Sequence, residues 1–211
     1  MKKTLINYTG LLGVVSLLSY TTAVLFAPMA YPNYNWAAQA VSDLSAEGSP
    51  SRLLWNQLAA PYDACELLCV MMVCVYISEQ KAGNKILRSG IYLFAAMNWV
   101  STIGYAMFPL SAVGTPAGFQ NAMHLAVTAA VVTLSILSLT IIIIGGLRQK
   151  ACPSLSVWAA AALGLMIAGA IGVSFVPAAY FGISERFSVF AAAGFQAVLG
   201  IYLFRGGIRA K

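Results

Sequence analysis

Six apolar stretches, each long enough to cross a bilayer, dominate the sequence: 5–28, 54–77, 86–110, 120–147, 156–180 and 186–205. About 20 consecutive apolar residues span a hydrocarbon core as a helix, so the spacing predicts six transmembrane helices. Barrel strands are excluded, because the stretches are too long and lack strict alternation of apolar and polar residues. Charged residues make up 9% of the chain and hydrophobic ones 60%, where a water-soluble domain carries about 25% charge. Lipid is the solvent that suits such a surface. The fold expected is all-α and integral to the membrane: one polytopic domain over 1–211, with its spans paired as three hairpins.

The net charge of +6 reads as topology, not as a nucleic-acid footprint. With a cytoplasmic N-terminus, the inner side collects Lys2, Lys3, Lys81, Lys85, Arg88, Arg148, Lys150, Arg205, Arg209 and Lys211, and the outer side keeps Arg52 and Arg186. Short loops with that asymmetry obey the positive-inside rule, so both termini are expected in the cytoplasm and the chain in the cell membrane. No basic stripe with interleaved aromatic residues lies outside the positions flanking the bilayer, so no nucleic-acid partner is expected. The first stretch follows Lys2 and Lys3, as a secretory leader would. It runs longer than the roughly 7–15 residues of a leader's apolar core, and Pro28-Met29-Ala30 is a poor cleavage site. It is expected to stay as the first span.

Between the first two spans, Tyr31–Arg52 reads YPNYNWAAQAVSDLSAEGSPSR. Tyr31, Tyr34 and Trp36 suit the headgroup level, and the spacing over Trp36–Leu44 predicts a short amphipathic helix lying on the membrane. Gly164, Ala168 and Gly172 recur every four residues in the fifth span, and Ala191 to Gly194 supply small residues in the sixth. These are expected helix-packing surfaces. Of the four cysteines, Cys65, Cys69 and Cys74 lie in the second span and Cys152 in an inner loop. None is placed for a disulfide.

The acidic residues carry the functional signal. Asp43, Glu47, Asp63, Glu66 and Glu185 fall in the outer half or outer loops, and only Glu79 is inside. Asp63 and Glu66 sit about 14–18 Å below the outer end of the second span at 1.5 Å per residue. Ionisable groups at that depth usually face the bundle interior and mark function. At a spacing of three they share a face, with Asn56 further out on it, and the pair suits acid–base work. A bland alternative has one carboxyl hydrogen-bonded to Asn98 or Tyr105 of the third span. His124, the single histidine, heads a polar stripe with Asn121, Thr128 and Ser135. One histidine cannot build a standard zinc site, so no metal and no cofactor are expected. Ser42, Asp43 and Arg186 are candidate binding residues at the outer rim, with Asp43 and Arg186 a candidate pair. Helix-dipole stabilisation accounts for Glu185 at the start of the sixth span.

The segments YPNYNWAAQAVSDLSAEGSP, Phe108-Pro109, NAMH (Asn121–His124) and ISER (Ile183–Arg186) together resemble the "domain of unknown function 998" family of bacterial and archaeal membrane proteins. The resemblance implies six membrane helices and carries no assigned reaction. Ser111 to Pro116, after the Phe-Pro pair, hold no charge, which argues against an acid or metal role there.

Three function classes remain open on the residues alone. One is a membrane-embedded enzyme using Asp63, Glu66 and His124 on a lipid-like or isoprenoid-like substrate, with Asp43, Ser42, Asn56, Asn98, Asn121 and Arg186 binding it. The second is a transporter or ligand-binding protein with a proton-linked carboxylate. The third is a structural or assembly protein. In the first two, Glu66 is expected to floor an outward cavity with His124 and Asp43 on its walls. Partners are then membrane lipid and a hydrophobic small molecule; oligomeric state is not legible.

Overall fold

The computed structural model describes residues 3–111, 118–148 and 152–208. These form seven α-helices: α1 (Leu5–Thr9), α2 (Leu11–Phe26), α3 (Arg52–Glu79), α4 (Lys85–Met107), α5 (Phe119–Leu147), α6 (Pro153–Phe175) and α7 (Phe181–Arg205). No strand occurs among the described residues. Five stretches are long and apolar enough to cross a membrane: Leu5–Ala30, Arg52–Glu79, Phe119–Leu147, Pro153–Phe175 and Ala178–Arg205. α4 is not among them. Its 23 residues reach about 34 Å at 1.5 Å per residue, enough length, but Lys85, Arg88, Asn98, Ser101, Thr102 and Tyr105 dilute its apolar content.

Consecutive helices pack side by side, α2 on α3, α3 on α4, α4 on α5, α5 on α6 and α6 on α7, and α7 then closes back onto α2. The result is a ring of antiparallel neighbours, with α7 also touching α3. The half of the bundle away from residues 31–51 is filled by apolar side chains, including Val70, Val73, Ile77, Leu87, Ile91, Phe94, Leu139, Ile142, Leu155, Phe195 and Leu199. The outside carries large exposed apolar side chains such as Leu18, Leu25, Leu125, Val157, Trp158 and Phe175. An apolar exterior around an apolar core is what a lipid-solvated bundle requires.

Close approach between helices rests on glycines, though not all the expected ones. A Cβ on Gly10 or on Gly200 would strike the other's carbonyl oxygen, so α2 and α7 meet backbone to backbone. Gly145 abuts the backbone of Leu87, and Gly169 and Gly172 receive Ser188 and Ser184. Gly164 and Gly194 meet nothing within 4 Å, and Ala168 is exposed. The expected Gly164–Ala168–Gly172 seam is thus corrected. Gly169 and Gly172, three residues apart, form it; a four-residue count pointed at the lipid-facing side.

A second correction concerns the outer segment. Trp36–Leu44 is not an amphipathic helix. It folds as turns with one 3₁₀ turn at Ser42–Leu44, and Val41, Leu44 and Ala46 are buried. Burial on both sides of the chain, through contacts to α7 described below, replaces the one-sided burial an interfacial helix needs.

Introducing Val at Gly10 should therefore force α2 and α7 apart, at the roughly 1–3 kcal/mol typical of overpacking. Gly164→Ala should be neutral or stabilising, by up to about 1 kcal/mol from helix propensity. Thermal unfolding of the purified variants checks the contrast; equal losses at the two positions would contradict the packing.

Candidate functional site

Two groups of polar residues occupy the half of the bundle that bears residues 31–51, called outer below, one in the cap and one inside the bundle. The cap comprises residues 31–51. Its anchor is Arg186, 4% exposed, one turn into α7. Nη1 donates to the carbonyls of Gln39 (3.1 Å) and Gly182 (2.7 Å), and Nη2 to the Tyr34 hydroxyl (2.8 Å). The guanidinium also lies 4.3 Å from the centroid of the Trp36 ring, a favourable cation–π placement. Tyr34 passes the bond on, donating to Ala40 O at 2.7 Å. Burial pushes the Tyr34 hydroxyl up to about 12, against the opposing pull of Arg186, so it stays a donor at neutral pH. Glu185 Oε2 accepts from Val41 N at 2.6 Å. A Cβ on Gly182 would meet Gln39 O, Arg186 Nη1 and Trp36 O, so only glycine lets the cap sit this low.

Asp43 does not form the expected pair with Arg186. Its Oδ2 accepts from Ala40 N at 3.0 Å, closing a local turn, while Arg186 is taken up by carbonyls and Tyr34. Burial raises the Asp43 carboxyl above its usual range, with Ala40 N–H and Arg186 opposing. Ser42 contributes its carbonyl, which accepts from the Ser45 hydroxyl at 3.1 Å. A small open pocket of about 160 Å³ lies in the cap between Tyr31, Asp43, Glu47 and Pro50. No group of three or more potential metal ligands occurs among the described residues.

His124 and Asn121 serve the neighbouring loop. His124 Nδ1 is 2.9 Å from Phe108 O, and Asn121 Oδ1 accepts from Ser111 N at 3.0 Å. Gln120 Nε2 donates to Pro109 O at 2.9 Å, and Glu47 N ties the cap to Leu110 O at 2.8 Å. The chain leaving α4 at Phe108-Pro109 has carbonyls with no helical partner, and the first turns of α5 supply them. Residues 112–117, including Gly114 and most of Ser111–Pro116, lie outside the described residues.

Residues 14–202 match the family described as "Protein of unknown function (DUF998)". The chain belongs to that family. No curated protein and no solved structure matches the chain. Within this DUF998 chain, the segments that carried the resemblance converge on one outer layer. The SDL segment and ISER meet through Arg186 and Glu185, and NAMH holds the Phe-Pro loop.

The second group is internal. On α3, Glu66 is buried at 3% exposed, whereas Asp63 and Asn56 are exposed. The two carboxyls differ in burial: Glu66 lies inside the bundle beside Gln196 of α7, and Asp63 and Asn56 lie on an exposed side of α3. Val70, Asp63 and Asn56 recur at sevens and so line one side of α3. Trp99 Nε1, 3.3 Å from Met71 Sδ, marks where α4 meets that side. α3 also packs on α2, and α4 on α5. Ser16 and Ser19 of α2 donate to Tyr62 O and Leu58 O at 3.1 and 2.6 Å, next to Pro61, which cannot donate within the helix. Tyr105 donates to Thr128 at 3.1 Å. Asn56, Ala60 and Asp63 remain exposed along α3.

Neither Asn98 nor Tyr105 bonds a carboxyl. Asn98, fully buried, donates Nδ2 to Phe94 O at 2.7 Å. Gln196, which sequence reasoning passed over, donates Nε2 to the backbone carbonyl of Glu66 at 2.9 Å. Its only sequence signal was a lone amide in an apolar span. Buried oxygens left without a hydrogen-bond partner include Glu66 Oε2, Asn98 Oδ1, Thr102 Oγ1, Ser135 Oγ and Gln196 Oε1. Such atoms are rare in folded proteins, and each asks for an explanation. Glu66 does not floor an open outward cavity: it is enclosed, and His124 and Asp43 are engaged elsewhere.

Replacing Arg186 by Lys should loosen the cap, since an ammonium cannot span three acceptors on two sides. Hydrogen bonds to charged groups are worth about 1.5–3 kcal/mol each, so proteolysis within residues 31–51 should quicken about tenfold or more. Asp43 adds a pH signature. Its raised carboxyl favours the docked cap when protonated, so its contribution is full at acid pH and is lost as pH rises through the raised value. The difference in protease resistance between wild type and Asp43→Asn should therefore shrink toward acid pH.

Proposed function

We propose that this is a six-span cell-membrane protein, both termini cytoplasmic, whose outer half takes the polar end of a lipid-like or isoprenoid-like molecule and uses Asp63 and Glu66 as proton-exchanging carboxyls. α4 supplies the sixth span beside the five more apolar ones. The observation carrying the reading is the carboxyl pair of α3: an exposed carboxyl, Asp63, within a span-length helix, one turn from a buried carboxyl with an unpartnered oxygen. An ionisable side chain there is costly, at about 2.5–3.5 kcal/mol, and a polar headgroup beside it offsets that cost. Access is sideways from the outer leaflet, since the cap covers the bundle's outer end.

An enzyme or receptor-like binder fits better than a transporter. Transport needs polar groups continuing to the inner face, and the inner half is closed by the apolar core of Val70, Val73, Ile91, Phe94, Ile142 and Leu199.

The orientation predicts that reporters fused at Gly83 and Gln149 read cytoplasmic, and at Gly48 and Gly114 extracytoplasmic; Gln149 and Gly114 lie outside the described residues. One inverted fusion overturns the arrangement. For the headgroup site, native mass spectrometry of protein in lipid nanodiscs should show a retained amphiphile. Ala60→Trp, at an exposed position one turn from Asp63 on α3, should expel it without unfolding the bundle. Equal retention by wild type and variant would sink the reading.

A further inference from the structure

The cap over the outer end of the bundle is bounded by two backbone irregularities. Asn33 and Gly48 both hold positive φ, 60° and 74°, a region that glycine adopts freely and asparagine more readily than most residues. Residues 34–47, between them, carry turns and the one 3₁₀ turn at Ser42–Leu44. The pocket of about 160 Å³ lies at the Gly48 end, lined by Tyr31 from before the segment and by Ala46 to Pro50 around its end. Space is thus left where the segment joins the rest of the chain. Hinges are a few loop residues that absorb a φ/ψ change, and Asn33 and Gly48 suit that part.

What fastens the segment is polar and concentrated at the start of α7. Arg186 holds the Gln39 carbonyl and the Tyr34 hydroxyl, Glu185 holds Val41 N, and Ile183 N donates to Ala37 O at 3.2 Å. No cysteine occurs in residues 31–51, so no disulfide fixes the segment in place. What it covers is a stack that leads to Glu66. Val41, 3% exposed, clusters with Tyr20, Val24 and Ala193, and Tyr62 packs against them. The Tyr20 and Tyr62 rings lie 4.8 Å apart. Tyr62, one turn before Glu66 on α3, donates its hydroxyl to the Glu66 carboxyl. From the outer face inward the order is Val41, Tyr20, Tyr62, Glu66, and only Val41 belongs to the cap.

We infer that residues 34–47 are a hinged lid, latched by Arg186 and sealed by Val41, that closes the aqueous route from the outer face to Glu66. Opening turns the segment about Asn33 and Gly48, breaks its contacts to α7 and lifts Val41 off Tyr20, while the helices stay as they are. The lid goes beyond the headgroup reading above and does not depend on it. Sideways entry serves an apolar molecule; the lid decides when water and water-borne solutes reach the buried acid.

The test uses the full chain in phosphatidylcholine nanodiscs and two water-soluble reagents, a charged maleimide and a carbodiimide, read by mass spectrometry. In a Val41→Cys protein the introduced thiol should label slowly but measurably. Native Cys69, fully buried where Gly13 and Gly200 approach it, should stay unlabelled, because the lid opens without the bundle. Adding Arg186→Lys should quicken the thiol labelling about tenfold or more, the loss of one charged hydrogen bond, with Cys69 still silent. Tyr34→Phe removes one acceptor of Arg186 and should act in the same sense; this keeps the test informative if Arg186→Lys assembles poorly. With Val41 restored, the same latch variants should speed carbodiimide modification of Glu66 and leave that of exposed Asp63 little changed. Equal labelling of the introduced thiol and Cys69 would mean that only unfolding of the whole bundle uncovers the segment, and would overturn the lid. Faster thiol labelling with no change at Glu66 would overturn the seal over that carboxyl.

Discussion

Hydrocarbon offers no hydrogen bonds, and nearly every feature of this bundle answers to that fact. A backbone carbonyl released by proline, or by a helix end, must find a donor within the protein. Pro61 frees backbone in the outer half of α3, and two serines one turn apart on α2 reach the carbonyls around it. The loop after α4 gives up its helical ladder at Phe108-Pro109, and Gln120, Asn121 and His124 make up for it. The cap has no ladder of its own, and Arg186 supplies several donors from a single rigid fork. Polar side chains here are mostly answers to backbone demands. That makes the exceptions, the unpartnered oxygens of Glu66, Asn98, Thr102, Ser135 and Gln196 and the Arg186 Nε, stand apart.

α7 organises the assembly. At its outer end Gly182 and Arg186 seat the cap; midway Gln196 binds α3; further in, Gly200 meets Gly10 of α2, and Leu203 O accepts from Asn7 at 2.8 Å. These contacts all depend on short separations, reached by removing side chains at Gly182 and Gly200. Lipid gives no hydrophobic drive for helix association, so close backbone contact and hydrogen bonds carry it.

Much of this was legible in the sequence. Apolar length located the helices to within a few residues, because a span's length is set by the bilayer and not by tertiary detail. The acidic residues and the motif segments pointed to the outer half. What failed had a common cause. Helical periodicity places residues on a face but does not say which face is inward when every face is apolar. Gly164 and Gly169 look alike in sequence, and only the neighbour α7 separates them. Asp63 and Glu66 share a face by spacing, yet one is exposed and the other buried. Trp36–Leu44 has a helical pattern, and its backbone donors are claimed instead by Glu185 and by turns. His124 has the chemistry of a catalyst and spends one ring nitrogen on a loop carbonyl.

The closing of the ring by α7 also dictates an order of assembly. During synthesis α3 enters the membrane well before α7 exists. Until then Gly10 lacks Gly200, the Glu66 carbonyl lacks the Gln196 amide, and the cap has no arginine to hold. The early helices wait as a half-finished crescent whose inner wall carries the Glu66 carboxyl. Its maturation is a single event: the arrival of the last helix.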